Sequence, residues 1–230
     1  MDRIQHLPVL PARVVAALSE VLDELRAWLL DGTLGGAGHS TLLLDAHPEL
    51  RVWGTDQDEE MLAMARERLA SYGERVATTR ARISELDGLF EAGDVPFEGA
   101  PAAMLFDVGV ASPHLDNPER GFSFQADAPL DMRMDARRER TAADLVNELP
   151  EGELADLLYN EGDERRSRQI AAAIVETRRR APILRTGTLA ELVERVVGGG
   201  RARIHPATRT FQALRREVNR EDHELRAALA

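Results

Sequence analysis

The residues best placed to do chemistry lie in the stretch Ala27 to Ser40, AWLLDGTLGGAGHS. There an apolar run ends in Asp31 and the chain breaks at once into Gly32, Gly35, Gly36 and Gly38. Trp28, Leu29 and Leu30 read as a short buried strand, which puts Asp31 at its carboxyl end, the side of an open α/β sheet where ligands gather. The glycines let the backbone turn tightly and approach a ligand without a Cβ in the way. His39, Ser40 and Thr41 then open the next helix. Taken alone, the glycines are also compatible with a plain tight turn. The order DGTLGGAG departs from the G-x-G-x-x-G of a dinucleotide loop and carries an acid where the strand ends, which suits a cation better than a pyrophosphate. S-adenosylmethionine is a ligand of that kind, with a sulfonium, an ammonium and a nucleoside. Its ribose hydroxyls call for a second acid at the end of the next strand, about 20 residues on. In Arg51 to Asp58, RVWGTDQD, Asp56 occupies that place; in isolation it reads as a solvated turn acid.

The elements that must position these residues follow an alternating rhythm. Pro11 to Leu25 carries Val14, Val15, Leu18, Val21, Leu22 and Leu25 at helical spacing. Helices are expected over Ser40 to Ala46 and Glu59 to Ser71, the second closed by Gly73, with a third strand over Arg75 to Thr79. Ala102 to Val108, containing Asp107, reads as a fourth strand, apolar on both faces. Strands alternating with helices predict a parallel, doubly wound α/β sheet covered on both sides. Gly109 to Asp135 then has no clear period, although Phe122, Phe124, Leu130, Met132 and Met134 argue against disorder. Beyond it, helices are expected over Ala142 to Leu149, Glu151 to Tyr159, Glu164 to Arg180, Thr188 to Val197 and Ala207 to Leu229.

Composition bounds the rest. At 230 residues the chain can bury a full core. It has no cysteine, which excludes disulfides and cysteine-ligated metal. Asp2 near the N-terminus and the shortness of the apolar runs predict a soluble cytoplasmic protein with no membrane span. The net charge of -11 sits wholly in residues 1–116, with 9 Arg against 20 acids, while residues 117–230 balance 20 Arg with 20 acids. The acidity therefore belongs to the cofactor half, and the near-neutral remainder implies weak affinity for free nucleic acid.

Several phrases coincide with one family. HLPVL from His6, DGTLGGAGHS from Asp31, DVGVASPHLD from Asp107, ERGFSF from Glu119, PLDMRMD from Pro129, EGDERRSRQIAAAIV from Glu161 and HPATRTFQALRREVN from His205 run in order. By these the chain closely resembles the bacterial 16S ribosomal RNA cytosine-N4 methyltransferases, the RsmH or MraW family. The resemblance implies a Rossmann-like domain over 1–110, an inserted helical RNA-recognition domain over 111–205, and a helix over 206–230 returning to the first. The implied reaction is methyl transfer from S-adenosylmethionine to the exocyclic amine of a cytidine in the decoding centre, the partner being the small ribosomal subunit. The family's cofactor contacts fall on Ala37, Gly38, His39, Asp56, Ile83, Asp107 and His114, beside Asp31 and Gly35 from the loop itself. Ser112-Pro113 resembles the Ser-Pro element that offers acceptors to the amine in amino-methyltransferases, so Asp107, Ser112 and Pro113 are the catalytic candidates. Arg133, Arg137, Arg138, Arg165, Arg166 and Arg209 are the RNA candidates, with Arg140, Arg168, Arg201 and Arg203 beside them; as charge runs they also read as solvated faces.

Against the family pattern, Ala37 stands for a glycine, His114 for a glutamine and Ala111 for a serine, each expected to weaken cofactor binding. Family members also continue past the last helix with strands that complete the sheet. The fourth strand is accordingly expected to be an apolar edge through which copies associate. The alternative readings are a shortened relative that binds cofactor or ribosomal surface without catalysis, and a dinucleotide oxidoreductase.

Overall fold

The computed structural model describes residues 9–22, 28–198 and 204–229. Two compact units divide the chain, one made of residues 1–109 with 223–230, the other of residues 110–222.

The first unit is built on four parallel strands, β1 (Trp28–Asp31), β2 (Arg51–Asp56), β3 (Val76–Arg80) and β4 (Ala103–Leu105), in the order β3-β2-β1-β4. Helices α1 (Pro11–Leu22), α2 (Gly38–Ala46), α3 (Glu59–Leu69) and α4 (Leu86–Ala92) cover it. Side chains along β1 alternate between the two faces, as strand geometry requires. Leu29 joins Leu22, Leu43, Leu44, Leu62 and Leu69 in one cluster, whereas Trp28 and Leu30 join Trp53, Ile83 and Leu86 in the other. Each such large apolar side chain, fully buried, contributes about 1.5–3 kcal/mol relative to exposure. Asp58 caps α3 by accepting from the N–H groups of Glu60 and Met61, at 2.9 and 3.5 Å.

The structure corrects the sequence reading in places. α3 ends two residues before Ser71, where a 3-10 turn takes over. β3 is shifted one residue, to Val76–Arg80. The expected seven-residue fourth strand keeps only Ala103–Leu105, and Met104 is 52% exposed, so it is not apolar and buried on both faces. The ladder closes where Gly32 N–H donates to Leu105 O, after which Phe106 folds its ring over Gly32. A Cβ on Gly32 would stand 2.2 Å from that ring. Helix α4 lay outside the sequence reading; Leu86 is buried in the Trp28 cluster, the half-buried Phe90 packs against it, and Gly93, at φ 75°, ends the helix. Residues 23–25 of the first expected helix lie outside the described residues.

The second unit holds α5 (Ser112–Asp116), α6 (Ala142–Glu148), α7 (Glu151–Gly162), α8 (Ser167–Arg178), α9 (Thr186–Val197) and α10 (Thr208–Asn219). Gly162 lets α7 and α10 meet, since a Cβ there would lie 2.4 Å from Arg209 O. The irregular segment before α6 is pinned by side chains from distant sequence. Asn219, fully buried, accepts from Met134 N–H at 2.8 Å and donates to Met132 O at 2.8 Å. Arg120 donates to Arg133 O at 3.0 Å, and Phe122, Leu130, Met132 and Met134 enter the core. The helix expected over Ala207 to Leu229 is two: Arg220 adopts the left-handed conformation, φ 51°, and its N–H closes onto Arg216 O and Glu217 O. α11 (Glu221–Ala228) follows. The expected segment 206–230 is thus shared, α10 in the second unit and residues from His223 in the first.

Candidate functional site

In the first unit, Asp31 ends β1 at 2% exposure, between β2 and β4. Its Oδ2 accepts from Ser40 Oγ at 2.6 Å and its Oδ1 from Thr33 N–H at 3.3 Å. Burial pushes its pKa up from 3.8 to about 6, against the opposing pull of those two hydrogen bonds; the charges of Asp56 and Asp107 push the same way as burial. Asp31 therefore senses the charges of both other carboxylates expected around the site. Among the described residues no cationic side chain pairs with Asp31.

The glycine loop is held from three sides. Gly35 N–H donates to Asp56 Oδ2 at 2.7 Å, and Asp56 Oδ1 accepts from Asp58 N–H at 2.9 Å. Arg68 on α3 donates to Gly36 O at 2.6 Å. Ala37 precedes α2 in the left-handed conformation, φ 59° and ψ 29°, fully buried, and its carbonyl accepts from Thr41 Oγ1 at 2.6 Å. A non-glycine residue pays roughly 1–2 kcal/mol for that conformation, so the departure at Ala37 is a departure in strain as well as in bulk. At the other side of the loop Asp107 N–H donates to Thr33 Oγ1 at 2.6 Å. The half-exposed Asp107 carboxylate lies 3.7 Å from His39 Nε2. His39 Nδ1 and Thr55 Oγ1 are buried with no partner among the described residues.

Asp31, Gly35, Ala37, Gly38, His39, Asp56 and Asp107 thus share one neighbourhood, and Ile83 lies nearby in sequence order after β3, packed in the Trp28–Trp53 cluster. A buried acid without a counter-charge, beside orphaned polar atoms, fits a ligand that brings positive charge and hydrogen-bonding groups. Ser40, Thr33 and Arg68 were not singled out from the sequence. The Asp31–Ser40 bond spans nine residues and exists only because the loop reverses the chain.

Ser112, Pro113 and His114 belong to the second unit, at the start of α5. His114 Nδ1 accepts from Ala111 N–H at 3.1 Å, so the proton of the neutral ring sits on Nε2. Its ring packs on Phe122 with centroids 5.1 Å apart. A glutamine at this third helical position would cap the turn in the same manner, which gives the replacement a local structural reason.

The RNA candidates separate. Arg133 forks onto Asp131 with two bonds of 2.8 Å, and Arg137 binds the buried Asp135, so both brace their own loop. Arg138 is half-buried, its Nε enclosed. Arg140 pairs with Glu148 and Arg168 with Asp156. Arg165, Arg166 and Arg209 are exposed near the α7–α10 junction, Arg166 donating to Val196 O and Arg209 to Asp163 O. Arg201 and Arg203 lie outside the described residues.

The model of the MraW methylase family matches residues 3–230. Ribosomal RNA small subunit methyltransferase H of Methylobacterium sp. (strain 4-46) is 49% identical, the match covering 100% of this chain and 66% of that protein. The protein of the same name from Thermobifida fusca (strain YX) is 46% identical over 97% of this chain and 68% of its own length. That of Geotalea daltonii is 45% identical over 100% and 73%. The chain spans about two thirds of the length of these relatives.

Proposed function

The chain belongs to the MraW methylase family, and from that premise we propose that it transfers a methyl group from S-adenosylmethionine to the N4 amine of a cytidine in the decoding centre of 16S ribosomal RNA. The observation that carries this reading is Asp31, a buried carboxylate at the mouth of the glycine loop with no cationic protein partner among the described residues. S-adenosylmethionine supplies an electrophilic methyl group on a sulfonium. Asp31 provides its counter-charge, and the loop backbone from Gly35 to His39 accommodates the methionine moiety. Asp56, whose carboxylate also holds the loop through Gly35 N–H and Asp58 N–H, receives the ribose hydroxyls; Ile83 lines the adenine slot. His114 is assigned to the cofactor by its place in the family motif.

In the transfer, the N4 lone pair forms a bond to the methyl carbon as the carbon–sulfur bond breaks, and the amine loses a proton. That lone pair is delocalised into the ring, so alignment matters; positioning accounts for roughly 7–11 kcal/mol of barrier in favourable cases. Asp107 is assigned as an acceptor of the amine hydrogens, and Ser112 and Pro113 are assigned to catalysis by their place in the family motif alone. The cytidine must leave its stack at a cost of a few kcal/mol. Arg165, Arg166 and Arg209 are exposed and so placed to meet phosphate, and the assembled small subunit, a cytoplasmic particle, supplies the remaining recognition.

One observation favours a second reading. Among the described residues β4 pairs on one side only, which fits a protein that binds cofactor or ribosomal surface without transfer, and also association of two copies through that edge. Calorimetry with S-adenosylmethionine combined with methyl transfer to small subunits decides between them. Binding with transfer supports the enzyme; binding without transfer supports the second reading. Light scattering at high concentration tests the dimer, which a strict monomer excludes.

A further inference from the structure

Asp31 is buried among groups of its own sign. The charges that act on it come from Asp56, at the end of β2, and Asp107, beyond β4. His39 on α2 turns Nε2 to Asp107 at 3.7 Å. Its stabilising contacts are neutral donors, Ser40 Oγ at 2.6 Å and Thr33 N–H at 3.3 Å. Ser40 is fully buried and aims its hydroxyl at the carboxylate from the first turn of α2. A carboxylate in such a place holds a proton readily when the site lacks a cation and yields it when one arrives.

We propose that binding of the cationic methyl donor expels a proton from Asp31, and that Ser40 is a positioning residue which sets the pH at which this exchange occurs. The proposal rests on the S-adenosylmethionine reading and deepens it. The proton passes to buffer, no bond to the ligand is made or broken, and the site exchanges one positive charge for another. Ser40 favours the ionised form by donating to Oδ2, so its loss moves the exchange to higher pH.

The test is isothermal titration between pH 5 and 8 with S-adenosylmethionine, and with 5′-methylthioadenosine, which has neither cationic group. With Asp31 titrating at about 6, affinity for S-adenosylmethionine falls about tenfold from pH 7.5 to pH 5. Buffers of different ionisation enthalpy then report a proton released at the acid end. The uncharged nucleoside shows neither effect. Ser40→Ala moves the midpoint upward, so affinity at pH 7 drops several-fold and recovers in alkali, while Ser40→Thr restores the wild-type midpoint. A merely structural role for Ser40 would lower affinity equally at every pH. A flat profile for S-adenosylmethionine, or a midpoint that Ser40→Ala leaves in place and that follows His39 instead, overturns the inference alone. No binding of S-adenosylmethionine at any pH overturns the cofactor reading beneath it.

Discussion

Replacing Asp31 by Asn should make the ligand-free protein more stable at neutral pH. The substitution keeps the volume, keeps an oxygen for Thr33 N–H and gives Ser40 an amide in place of one carboxylate oxygen, but removes the charge. In the folded chain the Asp31 pKa rises from 3.8 to about 6, chiefly through burial, and each pKa unit is worth about 1.4 kcal/mol. The shift therefore corresponds to about 3 kcal/mol. A folded pKa above the unfolded one means that the contribution is fully present below about pH 4 and is lost as pH rises through 6. Wild type and Asp31→Asn should have similar stability near pH 4, and the variant should gain on the order of 3 kcal/mol by pH 8. Urea titration followed by tryptophan fluorescence suits the question, because both tryptophans, Trp28 and Trp53, are buried in the first unit, which also holds Asp31. A variant that is less stable at pH 8, or a difference that does not change with pH, would refute the argument. The same variant should lose most of its affinity for S-adenosylmethionine, so stability and binding move in opposite directions.

Ala37→Gly should stabilise the first unit by about 1 kcal/mol, read from a higher urea midpoint, the left-handed strain relieved less the entropy glycine adds to the unfolded chain. Asn219→Leu removes the bonds that Asn219 makes to Met134 N–H and Met132 O, which should cost roughly 2–4 kcal/mol and appear as rapid proteolysis within residues 117–141. Arg165→Glu should reduce methyl transfer to small subunits while leaving cofactor affinity and thermal stability unchanged. Arg133→Ala should instead lower stability, because it breaks the fork onto Asp131.

What the sequence made legible follows from how local each signal is. The strand–acid–glycine run announced β1, Asp31 and the loop because burial of a short apolar run and glycine punctuation are both readable within a dozen residues. Asp56 followed from the repeat distance of the next strand. The length of β4 was not legible, since what ends it is Phe106 closing over Gly32, a contact across more than 70 residues. The break at Arg220 hid inside a strong helical period because nothing but the left-handed turn there marks it. Arg133 and Arg137 looked like an RNA-facing cluster, yet each is taken up by an aspartate two residues before it. Adjacent opposite charges reveal such a pairing only once the loop conformation is known. Helix α4 was within reach, its apolar residues and terminal Gly93 being an ordinary if brief helix signature.

The central claim is that the crevice at Asp31 serves methyl transfer to cytidine N4. It is tested most directly by incubating the chain with methyl-labelled S-adenosylmethionine and small ribosomal subunits from a strain lacking the endogenous enzyme, then digesting the RNA to nucleosides. The account predicts label in N4-methylcytidine, with none after Asp107→Ala. Label in another nucleoside, or label undiminished by Asp107→Ala, would contradict it.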